Sequence, residues 1–298
     1  MINMNIALTG ANGSIGRELV PFLRRLGHSV FTISSSIPAD GKFNYSYEEL
    51  NARAININID IFFHLASINS NLNDEEIDLE IQLTKEVLFS LPSLNCKKLI
   101  FFSSAKVYGD NSFSSIIYNE QASLNPTSSY GKAKKLCEEL IHAESSNLGV
   151  SSTIFRSPPI LNQSTDSNLG KLIKFSKYRI PIPIFAQGSL NQRSFLSFNN
   201  LEKIINFVTE NEQLFFQNDT YNMSDHGFIS LSELLESIGK SYLLKIPLKV
   251  SNLFFNIPLF NSILLKLYGN FVLDNSKLET KMDVKLKTTR QSLPIIYL

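Results

Sequence analysis

Cysteine occurs twice in the 298 residues, at Cys96 and Cys137, which is too sparse for a disulfide framework or a paired metal-ligand spacing. The two thiols read as packing residues of a protein in a reducing compartment, the cytoplasm being the simplest assignment, and no metal site is expected. An excess of either charge is also missing: Lys+Arg 28 stand against Asp+Glu 27, so no polybasic surface exists and nucleic acid is not an expected partner. No basic leader precedes an apolar run at the amino terminus, so Met1–Gly10 reads as a first strand and not as a signal peptide. No stretch qualifies as a transmembrane segment. The nearest candidate, residues 241–273, holds Lys245, Lys249 and Lys266 but no acid, and is interrupted by Pro247 and Pro258. It reads as an amphipathic lid or a packed helix pair, with contact to a membrane surface as the alternative.

What remains is an ordinary globular composition, 43% hydrophobic and 18% charged, with enough length for one large α/β unit or a core with a smaller lobe. Apolar runs of strand length alternate with helix-period segments through the first half. Strands are expected at Asn5–Leu8, Ser29–Ile33, Asp60–Leu65, Lys98–Ser103 and Ser151–Phe155, with helices at Ile15–Leu26, Asp74–Ser90 and Ser129–Ser146. That rhythm of βαβ units predicts a Rossmann-type, doubly wound parallel sheet of the α/β class. Past Arg156 the texture shifts to Pro158-Pro159, Ile180-Pro-Ile-Pro-Ile184 and a Ser/Asn-rich connector, typical of surface loops. A helix at Asn199–Glu210 and a strand at Thr220–Met223 then return to the core, so the smaller C-terminal substrate lobe is interleaved with it. The expected division is residues 1–157 plus about 190–223 for dinucleotide binding, and about 158–189 and 224–298 for the substrate lobe. Residues 44–73 are rich in Asn and Ser, yet regular Ile and Phe positions argue that they fold.

Two segments carry chemistry. Thr9-Gly-Ala-Asn-Gly-Ser-Ile-Gly16 lies between the first strand and the first helix. Gly10, Gly13 and Gly16 permit a tight turn, close approach of backbone to a pyrophosphate and close helix–strand packing, while Asn12 and Ser14 offer local hydrogen bonds. Tyr130 and Lys134 are four apart in a helix, so phenol and ammonium share a face. A cation beside a phenol stabilises the phenolate, which otherwise forms only near about pH 10, and makes the tyrosine a usable proton donor and acceptor. The bland alternative is a solvated helix face, since Lys132 and Lys135 lie close by. Ser104, in Ser103-Ser-Ala-Lys-Val-Tyr-Gly109, falls at the carboxyl end of a strand, where ligands bind in open sheets.

In this order the motifs resemble those of the extended short-chain dehydrogenase/reductases, specifically the nucleotide-sugar epimerase/dehydratase family, over nearly the full length. Gly10 to Gly16 is similar to the family's cofactor turn, His64-Leu-Ala-Ser67 to its third-strand end, Ser103–Gly109 to its serine segment and Tyr130–Lys134 to its catalytic pair. The resemblance implies a cofactor held by Gly10, Asn12, Gly13, Ser14, Ile15, Gly16, Ser34, Leu65, Ala66, Lys134 and Pro158. It further implies that Ser104 meets the sugar C4 oxygen, that Tyr130 exchanges its proton, and that Lys134 holds the cofactor ribose and tunes Tyr130. Arg156-Ser-Pro-Pro159 matches members that handle nucleotide-linked hexoses. On the same footing Asn168 and Leu169 fall at the nucleotide diphosphate, Phe185 at the base and Arg193 at the diphosphate, where a guanidinium fork suits phosphate oxygens. Family habit adds a homodimer through the two long helices of the core.

The chain also departs from the pattern. NAD-binding relatives end the second strand in an acid; Ser34 stands there, which removes a repulsion toward a ribose 2′-phosphate and favours NADP(H), although no arginine follows to bind that phosphate. Residues 40–58 give no match to the adenine-contacting aspartate, and Glu80 stands where relatives often carry Asn. Dehydratases carry an Asp-Glu pair after the catalytic hydroxyl, where this chain has Ala105-Lys106, so negligible 4,6-dehydratase activity is expected. The first functional expectation is therefore an NADPH-dependent reductase of nucleotide-linked 4-keto-6-deoxyhexoses. The second is an NAD-dependent nucleotide-sugar 4-epimerase, and the third a dinucleotide-binding regulator without turnover.

Overall fold

The computed structural model describes residues 3–35, 43–68, 72–114, 116–161, 182–185, 191–238, 243–246, 265 and 269–297. Seven strands form the central sheet: β1 (Asn5–Thr9), β2 (Ser29–Ser34), β3 (Asn44–Ser46), β4 (Ile61–His64), β5 (Lys98–Ser104), β6 (Ser151–Ser157) and β7 (Asp219–Asn222), in the spatial order β7-β6-β5-β4-β1-β2-β3. The pairings of β1 with β2 and β4, of β2 with β3 and of β4 with β5 are all parallel. Parallel strands covered on both faces need unbroken apolar runs, which Ile-Phe-Phe-His64 and Leu-Ile-Phe-Phe102 supply with every residue buried. Chain order reverses between β1 and β4, and the carboxyl ends of those two strands flank the crevice where open α/β sheets take ligands.

Helix α1 (Gly16–Arg25) buries Leu19, Val20 and Leu23 and turns Arg17, Arg24 and Arg25 outward. Glu18 in its first turn and arginines in its last oppose the helix dipole, and it ends at Gly27, whose φ of +90° suits glycine. The expected boundaries of the other core elements hold to within one to three residues. Among the elements not read from the sequence are edge strand β3 and the short α2 (Tyr47–Asn51), which is started by a capping box between Ser46 and Glu49. Helices α3 (Ile77–Ser90), preceded by a 3-10 turn at Asp74–Glu76, and α4 (Ser129–Glu144) follow. Phe31, Ile33, Phe62, Val87, Phe101 and Ile141 meet in one apolar cluster between sheet and helices.

The chain divides into two compact units. The first comprises residues 1–109, 124–156 and 202–221, and the second 110–123, 157–201 and 222–298. Within the second, short strands pair as Ile160–Leu161 with Leu196–Ser197, Gln192–Arg193 with Ile229–Ser230, and Ile117–Tyr118 with Val272–Leu273. A further parallel pair joins Ile182–Phe185 to Leu243–Ile246. This pair corrects two expectations. Ile182–Phe185 is a strand and not a surface loop, because β-branched Ile182 and Ile184 alternate with prolines that edge strands tolerate. Leu243–Ile246 is likewise a strand where a lid or helix pair was expected; most of the remainder of 241–273 lies outside the described residues. No helix among the described residues is long and apolar enough to cross a membrane.

Candidate active site

The glycine turn is built to admit a ligand at the tip of β1. Gly10 has φ +77°, and a Cβ on it would sit 2.7 Å from the Ala66 backbone nitrogen, so only glycine lets the turn close against the end of β4. A Cβ on Gly16 would meet the Gly10 carbonyl at 2.2 Å, which explains how tightly α1 folds back on the turn. Gly13 N–H closes the bend onto the Gly10 carbonyl at 3.0 Å. Asn12, Gly13 and Ser14 are exposed, Ile15 is half-buried, and no side chain caps α1. Uncapped amide groups at a helix start, beside a turn from which side-chain bulk is excluded, suit a pyrophosphate. Among the described residues the buried Ser67 Oγ has no hydrogen-bond partner, which leaves one polar atom at the end of β4 for such a ligand; Leu65 and Ala66 beside it are half-buried. These residues fit a dinucleotide. Ser34 closes β2 opposite Ser46 of β3 and is half-buried.

At the end of β5 the strand pleat separates two serines. Ser103 is buried and its hydroxyl donates to Glu138, whereas Ser104 is half-buried and its Oγ accepts the Lys106 N–H at 3.2 Å. A hydroxyl that accepts one bond still carries its own proton to donate. Ser104 opens the 3-10 turn Ala105–Tyr108, against which α4 begins. Ser128 caps α4 by accepting the Gly131 N–H at 3.1 Å, and a Cβ on Gly131 would lie 2.5 Å from the Lys106 carbonyl oxygen. The Tyr-Gly step thus lets Tyr130 come up beside the serine turn.

Of the three neighbouring lysines, Lys132 is exposed and Lys135 half-buried, while Lys134 is 1% exposed, so the solvated-face reading fails for this residue. Its Nζ lies 5.8 Å from the centre of the Tyr130 ring, 4.8 Å from that of Phe101 and 2.9 Å from Glu80 Oε1. The last contact is one of charge without hydrogen-bond alignment. The other carboxylate oxygen accepts the Ile68 N–H at 2.7 Å. Burial alone would push the Lys134 ammonium down, but the facing Tyr130 and Glu80 outweigh it and hold the group above the usual lysine range.

A chain of hydrogen bonds ties this pair to the glycine turn. Ala66 N–H donates to Thr9 Oγ1 at 3.3 Å, Thr9 Oγ1 is 2.8 Å from His64 Nδ1, His64 Nε2 is 3.2 Å from Thr84 Oγ1, and Thr84 donates to the Glu80 carbonyl at 3.1 Å. We assign the proton of His64 to Nε2, which gives each hydroxyl one bond to donate and one to accept. Burial, and secondarily the Lys134 charge, push His64 down to about 3, so the ring is neutral and structural at working pH. Behind α4, Glu138 takes the Arg156 guanidinium in a two-pronged pair, with Nε 3.0 Å from Oε1 and Nη2 2.6 Å from Oε2; Arg156 Nη1 donates to Tyr108 Oη at 3.0 Å. Sequence reading missed this cluster; Glu138, one turn past Lys134 on the buried face, was the available signal.

The second unit holds the remaining expected residues. Arg193 Nε donates to the Gly269 carbonyl at 3.2 Å, and burial lowers the guanidinium to about 10. Pro158 is buried just past β6, and Phe185 ends the strand Ile182–Phe185. Asn168 and Leu169 lie outside the described residues.

Residues 6–224 match the model of the NAD dependent epimerase/dehydratase family. The chain belongs to that family. It is an NAD(P)-dependent enzyme of the extended short-chain dehydrogenase/reductase type, carried on the parallel sheet described above. Among curated relatives, UDP-glucose 4-epimerase of Vibrio cholerae is 23% identical over 79% of this chain and 75% of its own. Among solved structures, UDP-N-acetylglucosamine 4-epimerase from Bacillus cereus superposes with a TM-score of 0.76 at 18% identity, covering 99% of this family member and 98% of its own chain. UDP-glucuronic acid 4-epimerase from the same organism, in complex with NAD, gives 0.73 at 20% identity over 99% and 95%.

Proposed function

We propose that this protein is a nucleotide-sugar 4-epimerase. One observation carries the reading: in a chain that matches the epimerase/dehydratase family, a buried Lys134 and the half-buried Tyr130 share one face of α4, whose first turn packs on the Ser104 turn. Tyr130 takes the proton of the sugar C4 hydroxyl and returns it to the same oxygen when hydride comes back to the other face of C4. Ser104 donates a hydrogen bond to the C4 oxygen, and the Lys134 charge stabilises the phenolate that takes the proton in the first half-reaction and is regenerated in the second. A bound nicotinamide dinucleotide supplies hydride acceptance and return. The names of the relatives support epimerisation over net reduction. No carboxylate at 105 or 106 is present to drive elimination.

The substrate is a nucleotide-linked hexose, with Arg193 in the second unit as the diphosphate ligand, because a desolvated guanidinium gains most from an anion. Asn168, Leu169 and Phe185 are assigned to the nucleotide on the family pattern. One observation favours a second reading, NADPH-dependent reduction of a 4-keto sugar: β2 ends in Ser34 without the acid that claims a ribose hydroxyl pair. A homodimer through α3 and α4 is part of the proposal, since these helices expose Leu79, Phe89 and Leu136.

The test is incubation with UDP-hexoses and with each nicotinamide cofactor, following C4 configuration by NMR and nicotinamide absorbance together. Epimerisation gives the C4 epimer without net change in absorbance. Stoichiometric consumption of NADPH with a 4-keto sugar would establish the reductase instead, and inactivity toward both would remove the catalytic reading. Tyr130→Phe is expected to lower turnover by about 10²–10⁴-fold.

A further inference from the structure

Glu80 is buried to 1% exposure and faces the lysine of the proton-exchange pair. An ionised carboxylate taken out of water needs both a counter-charge and hydrogen bonds, and the structure supplies one of each: Lys134 Nζ at 2.9 Å and the Ile68 N–H at 2.7 Å. The Thr84 hydroxyl, one turn later on α3, donates to the Glu80 carbonyl and fixes that turn against His64. We propose that Glu80 is a positioning residue of the proton-exchange site: its carboxylate keeps the buried Lys134 charged and sets the pH range over which the Tyr130/Lys134 pair works. The inference rests on the reading above that Tyr130 exchanges the substrate proton.

The direction of the effect follows from net charge. With a neutral phenol, an ammonium and a carboxylate, the cluster carries no net charge, and losing one proton leaves it at −1 around a lysine and a glutamate that are each 1% exposed. With glutamine at position 80 the cluster starts at +1 and the same loss brings it to zero. Burial disfavours net charge, so the proton leaves at lower pH when the carboxylate is gone. The other titratable neighbours do not supply a replacement. From α4, Cys137 is buried and pushed up to about 11, from β4 His64 is neutral, and from the start of α2 Tyr47 is pushed up to about 12, in each case by burial first. Glu86, which acts on Tyr47, and Glu138, which is engaged by Arg156, add no positive charge.

The experiment compares the full-length protein with Glu80→Gln, Glu80→Asn and Glu80→Asp. In the pH–activity profile Gln and Asn are expected to move both flanks toward acid, giving about a tenfold or larger change in turnover at a fixed pH on a flank, whereas Asp retains the parent's position. A purely structural role would lower activity by the same factor at every pH and would overturn the proposal. A second readout needs no turnover: the phenolate absorbance that Tyr130→Phe removes appears at lower pH in Glu80→Gln than in the parent, and an unmoved titration sinks the inference even if epimerisation is established. If the neutral variants fail to fold, the parent decides through its 13Cε-lysine NMR signals. The Lys134 resonance, identified by its loss in Lys134→Arg, must keep its charged position past the pH at which the exposed lysines titrate, and earlier titration overturns the proposal. Absence of turnover with any nucleotide sugar, with the spectral shift present, would fault the functional assignment and leave the role of Glu80 standing.

Discussion

Glu138 and Arg156 place opposite charges in the interior behind α4, at 2% and 5% exposure, and satisfy one another with a two-pronged contact. Such a pair is worth little as a net contribution, but either partner alone is a costly buried charge. Glu138→Gln is therefore expected to destabilise the protein by about 3–5 kcal/mol in urea unfolding, and the double change Glu138→Leu with Arg156→Met by clearly less. His64 gives a pH prediction with a definite sign. Its folded pKa, about 3, lies below the ordinary 6.5, so the unfolded chain binds a proton that the folded one refuses. The stability it contributes is complete above about 6.5 and is lost as pH falls toward about 3, by roughly 1.4 kcal/mol per unit. Urea titrations from neutral to acid pH should show that slope, and His64→Gln should flatten it while lowering stability at neutrality.

Helix α4 depends on one missing methyl group. Gly131→Ala would push a Cβ to 2.5 Å from the Lys106 carbonyl oxygen, a backbone atom that cannot swing aside. The expected cost is about 1–3 kcal/mol in stability. A displacement of the helix start by even a fraction of its present clearance should also reduce turnover, by up to about 10²-fold, because Tyr130 is the neighbouring residue. Steady-state kinetics and thermal melts on the same variant separate the two effects. The helix itself was legible in the sequence: the helix-period segment at 129–146 and the Tyr/Lys interval within it pointed the same way. The glycine turn was legible too, since strand, glycines and helix follow in order. Edge strand β3 was not, because Asn-Tyr-Ser is too short and too polar to show a period, and its partner β2 alone makes it a strand. The buried partner of Lys134 was visible only as an unexpected glutamate, since burial of a charged side chain is decided by helix packing and leaves no mark on local spacing.

At the level of assembly, Leu79, Phe89 and Leu136, 55%, 45% and 40% exposed on α3 and α4, are the apolar side chains that the proposed homodimer would cover. Sedimentation is expected to give a dimer for the parent and a monomer for Leu79→Glu with Phe89→Glu, with unchanged far-ultraviolet circular dichroism. The order in which the chain visits its two units has another result. It leaves the first unit at residue 110, directly after the serine turn, and returns at 124, just ahead of the tyrosine helix, then crosses again at 157, 202 and 222. Neither unit is therefore a single uninterrupted stretch. A cut after the tyrosine helix and its following strand would strip the sheet of its β7 edge, and grafting the C-terminal half of a relative would transplant pieces of both units at once. Exchange of sugar preference between family members by recombination must therefore splice at several joints, two of them lying between Ser104 and Tyr130.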